Sequence, residues 1–241
     1  MELNRGCLYI VATPIGNLSD LSSRAAEVLR GADLVAAEDT RHSARVLAHV
    51  GARRPSVALH EHNEAAMVEG LIGRLHDGAR IALVSDAGTP LISDPGYLLV
   101  RAAQRAGIAV RCVPGPCAAI AALSVSGLPS DRFVFEGFLP ARSAARRRRL
   151  EALASEPRTI ICYEASHRIA ATARDIAAVL GDGRPVTLAR ELTKIHEQSV
   201  FLPAGELPAW LAADDNRRRG EFVLVIGGND DPLPPGDSLQ L

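Results

Sequence analysis

The sequence has few aromatic residues, no long apolar run and no leader-like N-terminus. Aromatic side chains make up 4% of the 241 residues, so we expect a core of Leu, Val, Ile and Ala. The longest apolar run, residues 117–123, is far shorter than the roughly 18 residues of a membrane span. The first six residues include Glu2 and Arg5, unlike a secretory signal. We therefore expect a cytoplasmic protein without a membrane segment.

The chain also lacks an excess of one charge and any CxxC spacing. Its 27 basic and 28 acidic residues leave a net charge of −1, which excludes a global attraction to nucleic acid. Lys194 is the only lysine, so arginines would have to make any phosphate contacts. The four cysteines are widely spaced, which is typical of reduced thiols and not of a disulfide framework or a zinc site.

Short apolar runs alternate with helical patterns along the chain. Residues 8–12, 33–37, 80–85 and 109–113 predict strands, and a second set of strands and helices occupies residues 133–226. Asp20 or Ser22 is expected to cap the first helix. Such alternation predicts α/β layers with largely parallel sheets. We expect two α/β domains at residues 1–126 and 127–228, followed by a disordered tail at 229–241.

Three loops rich in Gly and Pro follow predicted strands, where open α/β sheets bind ligands. They are residues 12–18, 85–96 and 114–119. None contains GxGxxG or GxxxxGK[ST], which excludes the common dinucleotide and NTP cradles. The second loop is either a ligand loop or a plain turn in which Asp94 caps a helix with Pro95 at its first position. The third is either a ligand loop or a site of close helix–sheet packing.

Taken together, these loops resemble the class III S-adenosylmethionine methyltransferases of the tetrapyrrole methylase superfamily. The resembling segments span residues 8–226 and include YIVATPIGNLSDLSSRA, AAEDTRHS, ALVSDAGTPLISDPGY, VPGPCAAIAAL and LARELTK. They are most similar to the ribosomal RNA branch, since Ser-Asp-Ala-Gly stands where the superfamily more often has Gly-Asp-Pro. The resemblance implies a homodimer of two-domain chains, with S-adenosylmethionine in the cleft between the domains.

The resemblance also implies methylation of the ribose 2′-hydroxyl of a cytidine in the decoding region of 16S rRNA, either as naked RNA or in the 30S subunit. Carried over by motif, the donor would be bound by Pro14, Ile15, Ser85, Asp86, Ala87, Gly88, Thr89, Cys117, Ala118, Tyr163, Ala189 and Glu221. A ribose hydroxyl is a weak acid, so a base or a charged partner would assist its methylation.

Lys194, Glu38 and Asp39 are the candidates for that catalytic role, since each lies near the end of a predicted strand. The alternatives are a solvated surface lysine and a helix cap with acidic residues. The candidates for RNA contacts are two arginine tracts and the pair Arg41 and His42, which follow Asp39. The alternative for each tract is a solvated helix face, which is the usual place of a charge run. These RNA candidates are Arg41, His42, Arg146, Arg147, Arg148, Arg149, Arg217, Arg218 and Arg219.

Other interpretations stay open at this point. His60 and His62 would share a strand face and could bind a metal, but no third ligand is near in sequence, so we expect a surface loop or an RNA contact and no metal. No RNA-recognition signature or aromatic stacking platform is evident. The acceptor could instead be a tetrapyrrole or another small molecule or protein. A binding module without turnover would bind the donor and form no methylated product.

Overall fold

The computed structural model describes residues 3–229, and it divides into two compact units. The first unit is Met1–Cys117 and the second is Ala118–Leu241. Each unit has one five-stranded sheet with helices packed against it. The expectation of two α/β domains is confirmed.

The first unit alternates strands and helices, beginning with a strand. Its strands are β1 (Cys7–Val11), β2 (Leu34–Ala37), β3 (Ser56–Ala58), β4 (Arg80–Val84) and β5 (Ala109–Val113). Its helices are α1 (Ser23–Gly31), α2 (Thr40–His49), α3 (Glu64–His76) and α4 (Tyr97–Arg105). The sequence pattern did not predict α2 as a helix or β3 as a strand. β3 is only three residues long and half-buried, so its apolar pattern is too short to detect.

The strands of the first sheet are all parallel, in the order β3-β2-β4-β1-β5. Apolar clusters cover both faces, one around Leu8, Ile81 and Leu83 and the other around Tyr9 and Val35. Continuous apolar strands such as β2 and β4 are typical of parallel sheets buried on both sides. Since parallel strands end at one edge, the loops after β1, β2, β4 and β5 come together there.

Two helix starts show how local chemistry decides an element's first residue. The Ser22 hydroxyl accepts the N–H of Ala25 at 3.1 Å and caps α1, as one of the two predicted caps. The predicted cap at Asp94 is wrong, because α4 begins at Tyr97 after Gly96. Gly96 has a φ of 121°, and a Cβ there would lie 2.6 Å from Leu83 Cδ2. This left-handed turn leaves Asp94 inside the preceding loop.

The second unit begins with a helix. Its strands are β6 (Phe133–Phe138), β7 (Thr159–Ala165), β8 (Pro185–Arg190), β9 (Gln198–Pro203) and β10 (Glu221–Ile226). Its helices are α5 (Ala118–Ser124), α6 (Ser143–Leu153), α7 (Ile169–Leu180) and α8 (Leu207–Ala212). One large apolar cluster, including Leu150, Ile169 and Phe222, packs α6, α7 and α8 on this sheet.

The second sheet is mixed, in the order β6-β7-β10-β8-β9, and not largely parallel as expected. Only β6 and β7, which α6 connects, form a parallel pair. β10 is antiparallel to β7 and β8, and β8 is antiparallel to β9. The reason is that the chain reverses its direction between β8 and β9, in a connection, residues 191–197, that contains no helix. A parallel pair needs a crossover of about a dozen residues, which this segment is too short to provide.

The units divide at residues 117 and 118, before the expected position at 126 and 127. The reason is α5, which packs on β7 and β10 of the second sheet. Asn229, the first residue of the predicted tail, donates its N–H to the Glu156 carbonyl at 2.8 Å. The rest of that tail lies outside the described residues. Among residues 3–229, no helix combines the length and apolar character needed to span a bilayer.

Candidate functional site

Backbone hydrogen bonds join the loops that follow β1 and β4. Thr13 N–H donates to the Gly88 carbonyl at 2.8 Å, and Gly88 N–H donates to the Thr13 carbonyl at 3.1 Å. The Thr13 hydroxyl also donates to the Ser85 carbonyl at 3.2 Å. β1 and β4 are neighbours in the sheet, so their parallel direction brings the two loops together. Two backbone hydrogen bonds and the Thr13 hydroxyl therefore hold the first and second loops together.

The third loop packs against this junction. The Thr89 hydroxyl donates to the Pro116 carbonyl at 2.9 Å. Gly88 has a φ of 91°, and a Cβ there would lie 3.2 Å from Ile15 Cγ2 and 3.6 Å from Pro116 O. A side chain at position 88 would therefore crowd Ile15 of the first loop and touch Pro116 of the third. We call residues 12–18, 85–96 and 114–117 the three-loop site.

The three-loop site contains most of the residues that the sequence assigned to a donor. Pro14, Ile15, Ser85 and Gly88 are buried in it, whereas Asp86 and Ala87 are exposed. Thr89 and Cys117 are partly buried. Ala118 follows directly as the first residue of α5. Direct contact of these residues with a donor stays a prediction.

The loop after β2 reaches the three-loop site through Asp86. One carboxylate oxygen of Asp86 accepts the N–H of Asp39 at 3.0 Å, and the other lies 3.0 Å from Nδ1 of His42. Asp39 caps α2 by accepting the N–H of Arg41 at 2.8 Å. The capping role that the sequence left open for Asp39 is therefore present, and it occurs within the candidate site.

Asp39 and Arg41 form a bidentate ion pair. Arg41 Nε donates to both Asp39 oxygens at 3.1 Å, and Nη2 donates to Oδ2 at 2.6 Å. These hydrogen bonds hold the pKa of the Asp39 carboxyl far below its usual range. The Arg41 side chain is 88% exposed, so it still faces solvent while paired.

Two further carboxyl groups lie in the same electrostatic environment as Asp86. Burial, and then the negative charge of Asp86, raises the pKa of Glu38. Burial raises the pKa of Asp94 to about 6, and the charges of Glu38 and Asp86 add to the rise. Asp94 Oδ2 is buried without a hydrogen-bond partner. This edge of the sheet therefore has a negative potential that favours a cation. The sequence missed Asp94, because Asp-Pro is also a common helix start.

Asp94→Asn is expected to stabilise the protein at neutral pH and not at about pH 4. Because the folded-state pKa of about 6 exceeds the ordinary 3.8, unfolding becomes easier as the pH rises between these values. The asparagine removes the cost of ionising Asp94 in the folded protein, which is about 1–2 kcal/mol because Asp94 is partly exposed. Thermal unfolding of both proteins at the two pH values measures the difference. Equal stabilisation at both would show that Asp94 does not titrate in this way.

In the second unit, the predicted donor residues lie on three adjacent strands. Val223 of β10 pairs with Tyr163 of β7 on one side and with Ala189 of β8 on the other. The Tyr163 hydroxyl accepts the N–H of Ala119 at 3.1 Å, which ties α5 to the sheet. Glu221 begins β10. Their contact with a donor also stays a prediction.

Lys194 is held by two carboxylates of the second unit. Its Nζ lies 2.9 Å from Glu191 Oε1 and 3.0 Å from Glu221 Oε2. Burial lowers the pKa of Lys194, but hydrogen bonds to Glu191 and Glu221 outweigh it, so the pKa is raised. Lys194 is therefore a fixed cation, able to stabilise negative charge but unable to accept a proton.

The arginine tract on α6 does not face one direction. Arg146 is 2% exposed and pairs with Asp175 at 2.6 Å, so it cannot contact RNA from this position. Arg147 pairs with the other oxygen of Asp175, and Arg149 pairs with Glu136. Successive residues of a helix point about 100° apart, which sends one arginine inward. Arg148 is exposed, and none of the described residues forms an ion pair with it.

The second arginine tract lies around a short 3-10 turn, Asp215–Arg218. Arg217 stacks on Trp210, with its guanidinium carbon 4.4 Å from the ring centroid. Arg218 pairs with Asp215. Arg219 is exposed, and its carbonyl accepts Arg190 Nε at 3.3 Å. Of this tract, Arg218 and Arg219 have side chains at the surface.

The two histidines after β3 are in a turn and do not share a strand face as expected. The ring centroids of His60 and His62 are 6.1 Å apart. Asn63 sets this turn, because its Oδ1 accepts the His60 N–H at 2.8 Å. Within residues 3–229, no group of three or more His, Cys, Asp or Glu side chains has a metal-binding arrangement.

An aromatic cluster on β6 and β7 was not anticipated from the sequence. The Tyr163 ring contacts Phe135 and Phe138 edge-on, with centroids 5.1 Å and 5.6 Å away. Phe135 and Phe138 are an odd number of residues apart, and a regular strand would place them on opposite faces. The register shift between Phe135 and Gly137, where φ is 62°, brings both rings to one face. Phe138 is 55% exposed.

Curated relatives match nearly the whole chain at high identity. The chain is 58% identical over 240 residues to "Ribosomal RNA small subunit methyltransferase I" of Escherichia coli O157:H7, covering 98% of this chain and 84% of the relative. It is 59% identical over 226 residues to the protein of the same name from Xylella fastidiosa (strain Temecula1 / ATCC 700964), covering 94% and 83%.

A solved structure shares the fold at low identity. Uroporphyrin-III C-methyl transferase from Thermus thermophilus, complexed with S-adenyl homocysteine, superimposes with a TM-score of 0.62 at 19% identity, covering 91% of this chain and 96% of that one. A family model described as Tetrapyrrole (Corrin/Porphyrin) Methylases matches residues 7–208. The match to a methylase family and the methyltransferase relatives confirm S-adenosylmethionine, the cofactor that the sequence predicted. The chain belongs to the tetrapyrrole (corrin/porphyrin) methylase family.

Proposed function

We propose that the chain methylates small-subunit ribosomal RNA with S-adenosylmethionine as donor, and that the acceptor is the ribose 2′-hydroxyl of a cytidine in the decoding region of 16S rRNA. The observation that carries the proposal is the backbone junction of Thr13 and Gly88, packed against Pro116. The names of the relatives, at 58–59% identity, support ribosomal RNA as the substrate. The cytidine and its ribose oxygen come from the sequence resemblance.

The chemistry of the three-loop site fits this donor. S-adenosylmethionine supplies a methyl group activated by a positively charged sulfur. Asp86, Glu38 and Asp94 give the edge of the sheet a negative potential, which suits the sulfonium and the amino group of the donor. Gly88 and Gly115 let the three loops pack closely, since a Cβ at Gly88 would lie 3.2 Å from Ile15 Cγ2 and one at Gly115 would lie 3.0 Å from the Ala12 Cβ. The apolar Ile15 offers contact to the adenosine part.

The protein's part in the reaction is to orient the acceptor and to manage its proton. Well-oriented reactants gain on the order of 7–11 kcal/mol over free encounter. Glu38 and Asp39 stand beside the three-loop site in the first unit and serve the acceptor side. Lys194 acts as a cation, because its paired carboxylates keep it protonated. Asp39 acts through its cap and its pairing with Arg41, and not as a base.

RNA is held by exposed arginines. Arg41, Arg148, Arg218 and Arg219 have solvent-facing side chains and are our candidates for phosphate contacts, with Arg147 and Arg149 adding positive charge while paired. Phosphate contacts position an RNA without reading its sequence, so the shape of the RNA or of the 30S subunit selects the target. The active form is a homodimer in the cytoplasm.

Methyl transfer from tritiated S-adenosylmethionine to 30S subunits that lack the modification tests the proposal. We expect label at a single ribose 2′-oxygen of 16S rRNA, located by nuclease mapping. Fully modified 30S subunits are the matched control and should accept no label. If label enters a tetrapyrrole or a protein and not the unmodified subunits, the RNA assignment is wrong. Donor binding by calorimetry without any product would indicate a binding module.

A further inference from the structure

His42 and Asp86 form a hydrogen-bonded pair to which the sequence assigned no joint role. His42 Nδ1 lies 3.0 Å from Asp86 Oδ2. An ionised carboxylate only accepts hydrogen bonds, so the neutral ring carries its hydrogen on Nδ1 and has a free lone pair on Nε2. The His42 side chain is 56% exposed, which leaves the ring accessible to a substrate.

Both partners are held in place by the backbone around them. Asp86 Oδ1 accepts the N–H of Asp39, which immediately precedes α2, at 3.0 Å. Asp86 follows the buried Ser85 in the second loop, and His42 lies in the first turn of α2. The pair therefore lies at the carboxyl edge of β2 and β4, beside the loops proposed to hold the donor.

Two of the three candidates for a base named from the sequence, Lys194 and Asp39, are poorly suited to accept a proton. Two ion pairs keep Lys194 protonated, and its pKa is raised. Arg41 binds both oxygens of Asp39 and holds the pKa of that carboxyl far below neutrality. Histidine is the side chain that most often acts as a general base in enzymes, and His42 lies at this edge of the sheet beside Asp86.

We propose that His42 is the general base of the methyl transfer and that Asp86 positions its ring. The inference rests on the proposed function. As the ribose hydroxyl oxygen bonds to the methyl carbon, the bond from that carbon to sulfur breaks and its electron pair stays on sulfur. The hydroxyl proton moves to His42 Nε2 and is later released to water. The products are a methyl ether, a neutral thioether and a protonated imidazole, so atoms and charge balance.

Charged groups on three segments set the environment of the imidazole. Asp39 Oδ2 lies 3.9 Å from Nδ1, and Arg41 neutralises that carboxylate. Glu38 at the end of β2 and Asp94 in the second loop contribute further carboxyl groups. Asp86 and these groups place negative charge around the ring, whereas the N-terminus of α2 contributes a partial positive charge.

The test compares His42→Ala with His49→Ala, an exposed histidine at the other end of α2. Single-turnover methyl transfer to unmodified 30S subunits is measured across pH. The wild-type rate should rise with pH and level off as His42 loses its proton. His42→Ala should be slower by roughly 100-fold or more, should lose that levelling, and should be partly restored by added imidazole. His49→Ala should match the wild type.

Further readouts separate catalysis from binding and from folding. Donor affinity by calorimetry should be unchanged in His42→Ala, which also shows that the variant is folded. Asp86→Asn should slow transfer and change its pH profile, because the ring loses its anionic acceptor. A His42→Ala variant with a normal rate and pH profile, or one that only raises the KM for 30S subunits, overturns the inference while the proposed function stands. A wild-type chain that labels no RNA overturns both.

Discussion

Arg146→Ala is expected to lower the free energy of unfolding of the second unit by about 3 kcal/mol, at the lower end of the range for breaking a buried ion pair. Arg146 is 2% exposed, and its guanidinium donates to both Asp175 and the Ala141 carbonyl, at 2.8 Å and 3.1 Å. The Asp175 side chain is 4% exposed, so removal of Arg146 leaves a buried carboxylate with fewer hydrogen-bond donors. Arg147, which also pairs with Asp175, keeps the cost from reaching the upper end.

Urea unfolding followed by tryptophan fluorescence measures this loss. Trp210 is the only tryptophan and packs against the core of the second unit, so its signal reports that unit. Arg148→Ala is the matched control on the same helix, and its exposed side chain predicts a change below about 0.5 kcal/mol. If both variants were equally stable and only Arg146→Ala lost methyl transfer, Arg146 would be a substrate contact.

Gly88→Ala is expected to reduce methyl transfer by roughly 10- to 100-fold, since small misplacements of a bound reactant cost rates of this order. The φ of 91° at Gly88 disfavours any residue with a Cβ, and the new methyl would crowd Ile15 Cγ2 at 3.2 Å. Relief of that contact moves the first loop away from the second. Donor affinity measured by calorimetry should fall with the rate.

Gly107→Ala supplies the matched control for this substitution. Gly107 also has a positive φ, of 68°, but a Cβ at this position would have no atom within 4 Å beyond its chain neighbours. Both variants carry the backbone cost of about 1–2 kcal/mol for a left-handed residue with a side chain. Only Gly88→Ala adds the crowding of the three-loop site. Equal loss of donor affinity in the two variants would mean that general destabilisation, and not loop geometry, is responsible.

Much of the fold of the first unit follows from local sequence patterns. Apolar runs such as residues 80–85 are typical of buried strands, and their alternation with helices favours a parallel sheet. That order places the Gly- and Pro-rich loops at one edge. The second sheet departs from the expectation because strand direction depends on where a connection lies, and the apolar pattern of a strand is the same in either direction.

The sequence by itself determined the alternation of strands and helices, the loops that follow β1, β4 and β5, and the family, because these depend on residues close together in the chain. Only the tertiary structure decided which charged groups act together. His42 and Asp86 meet across 44 residues, and Arg146 and Asp175 across 29. Burial, which raises the pKa of Asp94 and leaves Arg146 only 2% exposed, is a property of the packed fold. No local pattern encodes it.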